Sequence, residues 1–184
     1  MILPKNKNKL YHRYPVSSIL IYNGATILHF VLGGIGIILG YSSMFGNILG
    51  AIYFVFAFSE MYVLMPFKVC PNCVYYKLEN SLCISGLNVL SRVMAKEGDI
   101  KQFPNRAKGP FCSNNLYIAA MVIPIIAMIP ALIINFSFIV LGILIAVIGL
   151  LVFRFFVIFT KIACLYCRAK NICPQAKSMG FSTM

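Results

Sequence analysis

Cysteine is the residue type here that could do chemistry, and six of the seven cysteines fall into two groups of matching design. The first is Cys70-Pro-Asn-Cys73 with Cys83 beyond it; the second is Cys164-Leu-Tyr-Cys167 with Cys173 and Pro174 beyond it. Cys112 stands outside both. A Cys-x-x-Cys turn brings two thiolates to one ion, a spacing shared by zinc and iron–sulfur sites. Lys68, Lys77, Lys161, Arg168 and Lys170 flank the groups, and neighbouring cations lower a thiol's pKa. The same cations suit a membrane anchor, so they do not select between the two roles.

Each group begins where a long apolar run ends. The chain of 184 residues is 60% hydrophobic and 11% charged, whereas soluble domains carry about 25% charged residues. Four runs reach the roughly 20 residues needed for one bilayer crossing: 17–40, 47–67, 116–134 and 138–160. The fold class this predicts is all-α: a polytopic membrane protein, one domain, whose four transmembrane helices form two hairpins. The first run is too long for a signal-peptide core and lacks a small-residue cleavage site.

The segments between these runs are distinct. Residues 1–16 form a basic arm with Lys5, Lys7, Lys9, His12 and Arg13, stopped by Pro15. Residues 68–115 form the cysteine loop, and 161–184 the cysteine tail. Within the loop, 85–97 puts Leu87, Leu90, Val93 and Met94 on one face. That predicts a short amphipathic helix lying on the membrane or on the cysteine groups, with Gly98 as its C-cap. Gly36 and Gly40 form a small-xxx-small pair that admits a neighbouring helix. Pro124 and Pro130 are expected to bend the third helix. The sequon Asn135-Phe136-Ser137 lies too close to the membrane to be glycosylated.

Orientation follows from the sixteen Lys and Arg residues. None falls in the turns at 41–46 and 135–137; all lie in the arm, the loop, the tail or the tail end of the fourth helix. Basic residues remain on the cytoplasmic side. The expectation is a multi-pass protein of the cytoplasmic (inner) membrane, with both termini and all seven cysteines in the cytosol. This placement accounts for the net charge of +12 without nucleic acid. The expected partners are the lipid bilayer and, on the cytosolic face, partner subunits or a redox protein.

Cytosolic thiols are kept reduced, so structural disulfides are not the default. Cys70-x2-Cys73-x9-Cys83-x28-Cys112 offers four ligands without a nearby histidine, which suits zinc. Cys164-x2-Cys167-x5-Cys173 offers three, which suits an iron–sulfur cluster, because structural zinc is closed by a fourth protein ligand. In a further arrangement the two Cys-x-x-Cys pairs clamp one ion and leave Cys83, Cys112 and Cys173 spare. The cofactor expected is therefore an iron–sulfur cluster or zinc, in an electron-transfer or anchoring subunit.

Two likenesses bear on the choice. The second group's spacing is similar to that of cubane sites in some DNA glycosylases, and Cys173-Pro174 resembles the Cys-Pro ending of cluster-binding runs. The whole chain resembles small four-helix membrane proteins that pass electrons between thiols and quinones. That resemblance implies a thiol oxidoreductase, although the catalytic pairs of those proteins face the oxidising side. A transporter of soft metal ions, with thiolates as its receiving site, is a third class.

Polar residues within the spans complete the candidates. Glu60 lies about 12 Å inside the cysteine end of the second helix, from ~1.5 Å rise per residue. His29 is deeper by about 6 Å on the same rise, so the two could meet. An intramembrane carboxylate is a functional candidate by default: a proton site, a quinone contact, or a neutral packing group. His29 is the only histidine within a span, which leaves no second axial histidine for haem. Arg154 is expected to snorkel to the cytosolic surface, and the methionines read as apolar filler.

Overall fold

The computed structural model describes residues 10–41 and 43–181. Helix α1 (Val16–Tyr41) follows Pro15; α2 (Met44–Ser59) starts at Ser43, whose hydroxyl accepts the Gly46 N–H at 3.4 Å. Short helices α3 (Val74–Lys77) and α4 (Leu87–Met94) come next, and a 3-10 segment (Ile100–Ala107) leads to α5 (Ser113–Ile134). Then come α6 (Phe138–Phe153) and α7 (Pro174–Ser178). The one bridge of extended backbone among the described residues pairs Arg13 with Leu82. Four helices are long and apolar enough to cross a membrane: α1, α2 continued to Asn72, α5, and α6 continued to Ala163. They are apolar all round, and side chains such as Leu20, Val55, Ile133 and Phe138 point outward, as lipid-facing helices require.

α1 is the central helix, packed against α2, α5 and α6. Its small residues explain the close fit. A Cβ on Gly40 would stand 2.8 Å from Ala131 Cβ, and one on Gly36 2.3 Å from Met128 Sδ. The helix admitted by this glycine pair is therefore α5, which stays helical through both Pro124 and Pro130.

α2 and α6 both widen before they end. From Glu60 to Val69 and from Arg154 to Ala163 each continues for ten residues as a π-helix. The Cys70 N–H reaches back to Met65 O, and the Cys164 N–H to Phe159 O at 2.8 Å, both five residues behind. Long π segments are rare and tend to mark functional sites. Each begins at a charged residue, ends at the first cysteine of a pair, and so places that cysteine one wide turn beyond the span.

Two expectations are corrected. α4 spans Leu87–Met94 rather than 85–97; it starts beyond Gly86 in a left-handed conformation (φ 72°) and stops at extended Ala95. Its inward face is also not the apolar one. Leu87, Asn88 and Ser91 are buried, while Val93 is 84% exposed. Satisfying backbone groups of the cysteine loop outweighs burying the apolar stripe. Asn88 donates to Ser81 O at 3.0 Å and accepts from the Cys83 N–H at 3.1 Å. Arg92 donates to the carbonyls of Tyr75, Tyr76 and Leu78.

The second correction is Arg154, which does not snorkel: it is 1% exposed. Its guanidinium lies 4.5 Å from the Tyr22 ring, 5.2 Å from Tyr117 and 5.4 Å from Phe159, and donates to Thr26 Oγ1 at 2.5 Å. Three aromatic faces and a hydroxyl hold the cation inside.

Candidate functional site

The two π segments deliver Cys70 and Cys164 to the lining of one cavity, and the same backbone bond closes both turns. The Cys73 N–H donates to Cys70 O at 3.0 Å, and the Cys167 N–H to Cys164 O at 3.3 Å. The described part of the N-terminal arm joins the two groups. Its Tyr11 N–H donates to Tyr166 O at 3.0 Å and its Tyr14 N–H to Leu82 O at 2.9 Å, while the Leu82 N–H returns to His12 O at 3.2 Å. Buried Tyr14 donates its hydroxyl to Ala163 O at 2.5 Å, and Tyr75 donates to Tyr11 O at 2.8 Å. Tyr75 also accepts the Arg168 N–H at 3.3 Å. The tyrosines Tyr11, Tyr14, Tyr75 and Tyr166 thus form a clasp of packed rings across both groups.

Inside this clasp is one cavity of about 150 Å³. Cys70, Cys73, Cys83, Cys164, Cys167 and Cys173 all line it, so the two sequence groups share a single chamber. All seven cysteines are free thiols. The walls are mostly apolar, with Met61, Met65 and Phe159, and Arg106 and Lys170 bring positive charge. Cys112 is buried elsewhere and lines a second cavity together with Glu60. It is the one cysteine that does not line the chamber of Cys70, Cys73 and Cys83.

Burial, reinforced by Cys83 and Cys173, pushes the Cys73 thiol up to about 12, against the pull of Arg106 and a backbone N–H at Tyr75. Burial and then Cys173 push Cys164 up to about 12. Burial also raises Cys167, with Cys73, Cys173 and Cys164 adding to it. The influence of Cys73 on Cys167 links the two groups electrostatically. Thiols held neutral in this way are poor nucleophiles at neutral pH, whereas a soft ion displaces their protons as it binds. Among the described residues no three His, Cys, Asp or Glu side chains form a ready metal-binding group. The thiols surround a space rather than a point.

His29 and Glu60 do not meet. The His29 Nε2–H donates to Met121 O at 3.0 Å, and neither carboxylate oxygen of Glu60 has a hydrogen-bond partner among the described residues. Both side chains are 1% exposed.

Sequence reasoning missed the clasp, the polar supports Asn88 and Arg92, and Arg106. The clasp left a faint signal: Tyr75 lies two residues after Cys73, and Tyr166 lies directly before Cys167. No family model matches the chain, and neither a curated protein nor a solved structure shows significant similarity to it.

Proposed function

We propose that the chain is a membrane-embedded thiolate-site protein whose two cysteine groups together hold one iron–sulfur or zinc centre. The observation that carries this reading is the convergence of six cysteines, from positions 70–83 and 164–173, on one cavity. The donor set fits soft-metal chemistry: six thiols, no histidine, apolar walls and nearby cations. A polynuclear centre suits the chamber better than one zinc ion, which needs four thiolates about 2.3 Å away. An iron–sulfur centre would supply one-electron transfer at the end of the spanning helices.

In the finer form of this reading, the spanning helices pair as two hairpins in the cytoplasmic membrane. The cysteine chamber and both termini face the cytosol, where a redox protein or partner subunits would dock. Arg106 and Lys170 would balance the charge of bound thiolates. Tyr14, Tyr75 and the arm would hold the two groups together and exclude water.

A second reading is thiol–disulfide chemistry coupled to a membrane quinone. What favours it is the cavity's apolar extension past the cysteines to Tyr22 and Tyr117 on α1 and α5. What opposes it is the raised pKa of Cys73 and Cys164.

The test is iron, zinc and acid-labile sulfide analysis of anaerobically purified protein and of its Cys73→Ser and Cys167→Ser variants. A shared centre loses its whole metal complement in either variant; with two separate sites each variant would lose one site's metal and keep the other's. Metal-free protein with a disulfide that quinone re-forms overturns the proposal in favour of the second reading.

A further inference from the structure

The second cavity, of about 260 Å³, shares Val69, Phe103 and Arg106 with the cysteine chamber. Glu60 lines it, almost wholly buried and with both carboxylate oxygens unpartnered. Lys68, Arg106 and Lys108 line the same space. None of them pairs with Glu60, since the ion pair among the described residues joins Lys77 to Glu97. Burying a carboxyl group without hydrogen bonds is unfavourable, so its position calls for a donor from a ligand. The three cations call for an anion. One small space thus presents two complementary demands that its own residues do not satisfy in each other.

We propose that this cavity binds a phosphoethanolamine group, with its ammonium on Glu60 and its phosphate on Lys68, Arg106 and Lys108. An ammonium offers three N–H donors to a carboxylate. Arginine's planar fork matches phosphate oxygens, and lysines add point charges. The location sets the orientation: Glu60 lies within the span Met44–Asn72 and Lys68 eight residues nearer its end, so the ammonium enters deeper than the phosphate. Two sources carry this chemistry, the head group of phosphatidylethanolamine and a soluble phosphoethanolamine ester. The inference is independent of what the cysteine chamber holds.

The experiment uses full-length purified protein and reads Cys112, which lines this cavity, by peptide-resolved alkylation. The probes are O-phosphoethanolamine on protein in detergent, and nanodiscs containing phosphatidylethanolamine or phosphatidylcholine. At ten times its Kd, a bound probe that covers Cys112 slows alkylation about tenfold by mass action. Protection by O-phosphoethanolamine identifies the soluble source; protection by phosphatidylethanolamine over phosphatidylcholine identifies the lipid. In either case Glu60→Gln must abolish it. No protection by any probe overturns the proposal. So does equal protection by phosphocholine or inorganic phosphate that survives Glu60→Gln, which would mark a plain anion site. If Glu60→Gln does not fold, Lys108→Gln at the exposed rim decides, because undiminished protection there also overturns the proposal. Metal analysis of the same samples tests the cysteine chamber separately.

Discussion

Replacing Asn88 by Leu tests how the loop that carries Cys83 is held. The side chain is 1% exposed and makes two good bonds to that loop, from the Cys83 N–H at 3.1 Å and to Ser81 O at 3.0 Å. Leucine fills similar space but leaves a buried donor and a buried acceptor unpaired. At about 1–3 kcal/mol for each orphaned group, the cost is roughly 2–6 kcal/mol. The better helix propensity of leucine returns about 0.5 kcal/mol or less. The loss is local, because both orphaned groups belong to the cysteine loop, at Ser81 and Cys83. Hydrogen exchange of the Cys83 amide should accelerate at least about tenfold, since 1.4 kcal/mol is a factor of ten. Alkylation of Cys83 should rise with it, while Cys164 and Cys167 keep their rates. Unchanged exchange at Cys83, or an equal rise at all the cysteines, would refute the argument that Asn88 holds this loop.

Gly40→Ala should destabilise the protein by about 1–3 kcal/mol through overpacking, because the new Cβ meets Ala131 Cβ, which is fixed to its helix. Gly149→Ala, where a Cβ meets nothing within 4 Å, should be neutral or stabilising; equal unfolding midpoints for the two would sink the packing account. In the metal-free protein, Cys73 and Cys164 stay neutral until pH approaches about 12, so their alkylation should rise about tenfold per pH unit across pH 8–11. Their folded pKa lies above the 9.0 of a free thiol, so this contribution to stability is present below pH 9 and is lost as pH rises from 9 to 12; a melting temperature flat across that window would contradict it. Reporter fusions at residue 100 and at the C-terminus should give cytosolic signals and fusions at 43–46 external ones, with the reverse pattern inverting the proposed orientation.

The spanning helices were legible because four apolar runs leave little else for the chain to form. Their terminal widening was not, since the i−5 bonds at Cys70 and Cys164 leave no mark on hydropathy. Arg154 was misplaced for a related reason. Its position near a helix end suggests escape to the surface, and only the assembled fold brings Tyr22 from α1 and Tyr117 from α5 onto its faces. The cysteine groups were legible one at a time. Their union was only one of several arrangements the spacing allowed, because Cys-x-x-Cys spacing is local and the sharing of one cavity by Cys83 and Cys164 depends on how α1 seats α2 and α6. In α4 the apolar stripe gave the wrong face, because hydrogen-bond demand in the loop outranked it at Asn88 and Arg92.

The arm that fastens the chamber also sets a timetable. Tyr14 and its partner Ala163 are separated by 149 positions, so one end of the fastening is synthesised well before the other. Cys70, Cys73 and Cys83 therefore emerge as half a donor set and wait for the other half. At ribosomal speeds of 5–20 residues per second the wait is on the order of ten seconds. During that interval the early thiols lack their opposite wall, and the strap lacks its anchor at Ala163. A chain interrupted before residue 138 would keep three spans yet never complete the enclosure, so loading of the chamber waits for the second cysteine group.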